Sequence, residues 1–413
     1  MSLLRISAGT TDITPTKPLP LGGFAKRTAP FNRIASRLEA NVLVLKRASS
    51  RVIFVSTDLL YPGNPLRARI AECLELPKNA AELFLCASHT HNAPMTEPEM
   101  PRLGVADEGY LQFVSERIAA LIKAIGNDES PGECSYHEGL AHHSINRRLM
   151  RLRVTKWGLS RSASFGPNPR GERDEWVRIL KFSDSHGKPI AAIWNYACHP
   201  SGFFDLLAVS AEYPGVVRDR LRAELGNIPI LFFQGFSGDV RPPFFGKPAG
   251  IKALARRALL GPQFRIPDQD EWNRWASDLA DCVAGIARSP DRKIEIAEPS
   301  ARLVEIPGRE FAAGVDANKS LVWHLIDCGG VRILGINAEP VSEYRRLVEP
   351  SPNGIPLLTV GCLDHTQCYL PTDAMIGEGG YEVEGFRPLL DFDAHFLARI
   401  QDNVTSEVKK ALA

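Results

Sequence analysis

Short apolar runs that end on Asp, His, Gly or Pro alternate along this chain with stretches of helical spacing. "RVIFVSTDLL" (51–60) is β-branched and apolar and reads as a buried strand ending at Asp58. The following "NPLRARIAECLEL" has helical spacing, and "AELFLCAS" is a second short apolar run. "EGYLQFVSERIAALIKAI" (108–125) carries an apolar stripe with the period of an amphipathic helix. "WVRILKFSDSHGKPIAAIWNY" (176–196) predicts a hairpin with its turn at Asp184–Lys188. "EYPGVVRDRLRAEL" predicts a helix that tolerates Pro214 near its start. "IPILFFQGFSGD" (228–239) predicts a strand running into a Gly-rich turn, and "SLVWHLIDCGGVRILGINAEP" a hairpin turning at Gly329–Gly330. A closing helix is expected from Asp391 onward. Interleaved strands and helices predict an α/β fold, with mixed β-sheets packed with surrounding helices, in a single domain over 1–413. Two stretches read as loop insertions. Residues 149–174 are basic and rich in Gly, Pro and Ser, and 241–272 are loop-like with a short basic helix inside. Long loops in compact folds are often lids or substrate walls.

Composition narrows the function classes. The 413 residues are 44% hydrophobic and 23% charged, with a net charge of +1. That is ordinary globular composition, without the field that nucleic acid or an anionic membrane requires. No run approaches the roughly 20 apolar residues of a membrane span, so no stable membrane insertion is expected. Eight cysteines are scattered with no CxxC pair, which reads as reduced thiols and a cytoplasmic location.

The histidines change the picture. "FLCASHTHNAP" sets His89 and His91 one residue apart directly after an apolar run. Residues i and i+2 of a strand share a face, so both imidazoles project together and can serve a metal or a proton; the alternative is a surface pair in a loop. "AIWNYACHPSG" repeats the arrangement, strand then histidine then sharp turn, at His199. In "FFQGFSGDVRP" the glycines and prolines force a tight turn that either brings Asp239 to a site as a catalytic group or uses it as a cap. Glu339 in "ILGINAEPVSEY" ends a strand. It either completes a His/His/Glu zinc set with one open position or carries helix N-terminal charge. His142, His143, His186 and His324 are poorer candidates: two face opposite ways, one sits in a turn, and one reads as a core histidine.

"AGTTDITP", "GGFAKR", "STDLL", "SHTHNAP", "INRR", "NYACHPSG", "SAEYPG", "QGFSGDVRP", "NAEP" and "YLPTDAMIGEGGYE" occur in that order. In this the sequence resembles the catalytic N-terminal domain of the neutral/alkaline ceramidase family, from about residue 5 to about residue 390. The resemblance implies a zinc-dependent hydrolase that cleaves an amide (N-acyl) bond with a metal-activated water. It implies Zn²⁺ ligands at His89, His199 and Glu339, with Tyr369 closing the metal shell. It implies His91 as the proton carrier, and Arg147 and Tyr381 as contacts to the substrate or the oxyanion, with Glu382 following Tyr381. Asp239 lies in the turn where the family reads "GDxSPN". There this chain departs: Arg241 stands at the family's serine position, and Ser237 lies on the other side of Gly238. "LDHTQCY" also differs from the family, and the chain is expected to lack the family's immunoglobulin-like C-terminal domain and secretory signal. The expected substrate is therefore a small N-acyl molecule other than ceramide, with Arg241 favouring an anionic or polar one. An ester, lactone or sugar N-acyl hydrolase, or a non-catalytic zinc-binding homologue, are the alternatives.

Overall fold

The computed structural model describes residues 3–25, 27–155, 158–246, 250–251, 261–349 and 354–412. The chain begins with an antiparallel meander, β1 (Arg5–Asp12), β2 (Glu39–Arg47) and β3 (Ser50–Thr57). Helix α1 (Asn64–Cys73) then crosses to β4 (Leu83–Ala87), which lies parallel to β3. Helix α2 (Glu108–Ile125) leads to β5 (Ser130–Leu140) and a hairpin of β6 (Ile145–Thr155) and β7 (Gly158–Asn168). A second hairpin, β8 (Trp176–Asp184) and β9 (Pro189–Tyr196), is followed by α3 (Glu212–Leu225) and by β10 (Ile230–Gln234), parallel to β9. Then come β11 (Val240–Arg241), α4 (Gln269–Ala287) and β12 (Arg292–Ile294). The last third holds β13 (Ile296–Pro307), β14 (Ser320–Gly329), β15 (Arg332–Ile336), β16 (Glu339–Pro340), β17 (Leu357–Val360), β18 (Tyr369–Leu370) and the C-terminal α5 (Ile400–Leu412).

Among the described residues, a nine-stranded sheet runs β10-β9-β8-β5-β1-β2-β3-β4, with β12 beside β5. A four-stranded sheet runs β13-β14-β15-β17. Phe54, Phe84, Phe233, Ile326, Ile333 and Val360 fill the space between the two sheets. Outside the larger sheet, α1 and α2 cover one part through Leu66, Ile70, Val114 and Ile118, and α3 and α4 cover another through Val217, Leu221, Leu279 and Val283. Outside the smaller sheet lies α5, through Val404, Val408 and Leu412. The layers are therefore helix, sheet, sheet, helix. Strand β14 shows why: Leu321, Trp323 and Leu325 face the α5 layer while Ile326 and Cys328 face the other sheet, the period-2 alternation of a strand buried on both sides. Each such large side chain contributes about 1.5–3 kcal/mol on burial. Strands β4 and β10 are buried at every residue, as parallel strands covered on both faces must be. They end the nine-strand path, yet they lie together: the Phe84 and Phe233 rings are 5.5 Å apart, and Ser56 Oγ donates to Phe232 O at 2.7 Å. The sheet thus curls until its two parallel edges meet.

The helix over 108–125 and the hairpins turning at 184–188 and 329–330 are present. The closing helix starts at Ile400 rather than Asp391. Most of 149–174 is not a loop but the β6/β7 hairpin, paired with β11 into a third sheet. Its pairs set Arg148 opposite Phe165 and Leu149 opposite Ser164, so strand alternation is hidden under basic and small residues. The short basic helix expected inside 241–272 lies largely outside the described residues. All eight cysteines are free. No helix among the described residues is long and apolar enough to cross a membrane.

Candidate metal centre

The two histidine loops leave the two parallel edges that meet. Ser88 N still donates to Thr57 O at 2.8 Å, extending β4 by one residue, and then His89 turns into the left-handed region at φ 65°. For a residue with a Cβ this is a strained conformation. His89 is buried, and its Nδ1 lies 3.0 Å from Leu60 O. His89 and His91 therefore come together through a turn, not through the pleat of a strand; their rings stand 5.1 Å apart, edge to face. His199 follows β9. Its backbone N–H donates to Val240 O at 3.1 Å, and its Nδ1 lies 2.8 Å from Ser237 O. The loops are tied to each other where His91 N donates to Pro200 O at 3.2 Å. Glu339 and Tyr369 arrive as a register pair of the short parallel ladder β16–β18. Gly238 N donates to Pro340 O at 2.8 Å, holding that ladder against the turn after β10. A Cβ on Gly238 would sit 2.6 Å from Glu339 O, so only glycine allows this approach.

A carbonyl oxygen only accepts, so both histidines carry their ring hydrogen on Nδ1 and leave the Nε2 lone pair bare. The bare atoms converge. His89 Nε2 and His199 Nε2 are 3.1 Å apart, and Glu339 Oε2 lies 3.2 Å from the second and 3.6 Å from the first. Tyr369 OH is 3.4 Å from His199 Nε2. Four ligands at zinc bond lengths near 2.0–2.1 Å lie roughly 3.3–3.4 Å from one another in a tetrahedron. Two imidazole lone pairs facing at 3.1 Å repel unless a cation lies between them, and burial with Arg147 nearby lowers the His199 pKa to about 4. Glu339 Oε2 has no protein partner, and Oε1 accepts from the buried Tyr61 hydroxyl. The donor set fits a divalent zinc-like ion, with each histidine oriented by a backbone carbonyl behind it. Cys362 Sγ also lies within 4.8 Å of the His89 and Glu339 donor atoms, as a further sulfur donor. A second acidic group, Glu97, Glu99 and His365, is a poorer metal site. Glu97 already accepts from His365 Nδ1 at 2.6 Å and from the backbone N–H of Asn64 and Glu99.

Two of the converging residues, His199 and Tyr369, line a cavity of about 910 Å³ whose surface is mainly apolar, while His89 and Glu339 lie behind them. His91, Arg147, His199, Tyr369 and Tyr381 all line it. Neither ring nitrogen of His91 has a partner; burial first, then the His89 and His199 rings, push its pKa well down. Gly23, at φ 101°, gives this ring room, since a Cβ there would lie 2.6 Å from His91 Nδ1. Arg147 is buried and fixed by Glu382 Oε1 at 2.9 Å and Gly238 O at 2.6 Å. Its guanidinium lies 5.1 Å from the Tyr381 ring centre and 5.5 Å from that of Tyr369. Glu382 also holds Arg148 at 2.7 Å and does not line the cavity. Asp239 is likewise absent from the lining. Its oxygens accept from Ser342 N and Asn146 Nδ2, both at 2.7 Å, and its own carbonyl accepts from Arg147 N at 2.8 Å. Burial lifts its pKa to about 6. Asp239 thus pins β6 and the β16 loop to its turn. Arg241 lines the cavity; Ser237 does not, and its Oγ is taken by Gln234 Nε2.

Sequence reasoning missed Tyr61, Arg27 and Glu212. Tyr61 follows Asp58 by three residues and precedes a Pro–Gly pair, a strand-end signal like those at the histidines.

No protein-family model matches the chain. Among solved structures, the neutral ceramidase from Pseudomonas aeruginosa matches with a TM-score of 0.74 at 16% identity, over 99% of this chain and 74% of that one. A ceramidase complexed with C2 matches with the same score and identity, over 98% of this chain and 74% of that one. The chain has a neutral-ceramidase-like fold.

Proposed function

We propose that this chain, folded like a neutral ceramidase, is a zinc-dependent hydrolase that cleaves an amide (N-acyl) bond of a small molecule. One observation carries the reading: three bare donor atoms of His89, His199 and Glu339 lie 3.1–3.6 Å apart, and His199 opens on a largely apolar cavity. Zinc held there supplies a Lewis acid and lowers the pKa of water towards neutrality.

The remaining work falls to the chain. His91 lines the cavity with both ring nitrogens unpartnered, so it is free to take a proton from the attacking water and give one to the departing amine. Arg147 is held by Glu382 and Gly238 O, so its charge is preorganised toward a developing oxyanion beside Tyr381. Such a donor contributes typically about 3 kcal/mol to the transition state. Asp239 is a positioning residue, holding the Arg147 backbone. No serine hydroxyl is free to act as a nucleophile in the turn after β10: Ser237 is hydrogen-bonded, and Arg241 stands where the resemblance expects serine. Eight free cysteines fit a reducing compartment, the cytoplasm.

The test is release of fatty acid from a panel of N-dodecanoyl amides by the zinc-loaded protein. Zinc-dependent release is expected, and His91→Ala lowers kcat by roughly 100-fold without changing zinc content. A protein that holds zinc and cleaves none of the panel contradicts the reading.

A further inference from the structure

Three guanidiniums, those of Arg27, Arg147 and Arg241, line the cavity, and no Asp or Glu is among its lining residues. Arg147 is balanced by Glu382. The other two have no ion pair among the described residues. Arg241 Nη2 donates to Ser201 O at 3.1 Å, and its guanidinium lies 4.6 Å from the Phe264 ring centre and 5.5 Å from that of Phe165. Arg27 Nη1 donates to Leu206 O at 2.8 Å, and its Nη2 donates to the carbonyls of Gly22 and His91. In both residues Nε is buried without a partner. Carbonyl dipoles and ring faces offset part of a cation's desolvation, but neither cancels its charge.

The carboxyl that acts on both is Glu212, behind the wall. It is buried, with Oε2 accepting from Gly202 N at 3.3 Å and Oε1 unpartnered. Burial raises its pKa to about 8 even with Arg241 and Arg27 nearby, while both arginines stay near 10. At neutral pH the wall therefore carries two positive charges and a mostly neutral acid. Uncompensated buried cations are costly, and a ligand anion removes that cost.

We propose that the substrate of this site carries a carboxylate that binds between Arg241 and Arg27, with its acyl chain along Phe24, Leu206, Leu207 and Leu389: an N-acyl amino acid. This rests on the amide-hydrolase reading of the metal centre. A planar guanidinium fork matches a carboxylate in shape as well as charge.

Calorimetry on the metal-free protein separates this proposal from catalysis. The probes are N-dodecanoylglycine, its neutral amide N-dodecanoylglycinamide, and N-dodecanoyl-phosphoethanolamine. The acid binds at least about 10-fold tighter than the neutral amide, and tighter than the phosphate. Arg241→Ser reduces the acid-over-amide preference to under about 3-fold. Arg27→Gln reduces the preference as well, and it decides the matter if the serine variant does not fold. Equal binding of acid and amide by wild type, tighter binding of the phosphate, or a preference intact in the variants overturns the proposal. With zinc added, binding preference without cleavage of any probe sinks the hydrolase reading and leaves the anion site. Cleavage without preference does the reverse.

Discussion

The floor and the wall of the cavity are built from opposite materials. The floor is the donor set of His89, His199, Glu339 and Tyr369, which opens on the cavity through His199 and Tyr369; its members stand at strand ends or on a short ladder, with every polar atom not aimed at the common centre tied to a neighbour. The wall is Arg27, Arg241, Phe24, Leu206 and Leu389, carried mainly on loops, with two cations that lack anionic partners. A metal centre must hold its donors within a few tenths of an ångström, and strand ends in a two-sheet core are rigid enough to do so. Substrate choice needs only complementary charge and shape, which loops supply. Under the proposed function, the contrast gives the reaction to the floor and selectivity to the wall.

The largest predicted effect breaks the comparison from the wall side. Glu212 faces Arg27, Arg241, Cys198 and Tyr213, and its folded pKa is raised from 4.5 to about 8. A raised acid contributes stability that is fully present below pH 4.5 and is lost as the pH rises through about 8. Glu212→Gln removes that titration. Between pH 5 and 9 the variant therefore loses less stability than wild type, by on the order of 3 kcal/mol, read by urea unfolding at several pH values. Parallel curves would show that Glu212 is not buried beside the wall as described.

A smaller effect sharpens the floor. Tyr61→Phe removes the hydroxyl that orients Glu339 Oε1. Zinc affinity, measured by competition with a chelator, falls by about 10- to 100-fold, while acid-over-amide selectivity stays as in wild type. A loss of selectivity with unchanged zinc affinity would reverse the assignment of the two regions.

Much of the floor was legible because its signals are local. An apolar run followed by histidine and a sharp turn occurs at both His89 and His199, and the runs themselves predict the strands that carry them. Helix α2 and the two glycine- or aspartate-turned hairpins were legible for the same reason. What stayed hidden depends on long-range closure or on backbone strain. Tyr61 meets Glu339 across 278 positions, and no spacing rule announces that pair. The left-handed turn at His89 leaves no residue signature, since glycine would be the usual occupant. The β6/β7 hairpin escaped because its arginines disguise alternation as a charged loop. Asp239 was read as a catalytic group, yet its oxygens serve Ser342 and Asn146; a strand-end carboxylate looks the same in sequence whether it faces a cavity or a neighbouring loop.

The central claim is that the floor holds a metal. The most direct measurement is elemental analysis of the purified protein after zinc reconstitution and desalting, for wild type, His89→Ala and His199→Ala. The account predicts about one zinc ion per chain in wild type and its loss in both folded variants. Absence of bound metal in wild type, or full stoichiometry in both variants, would contradict it.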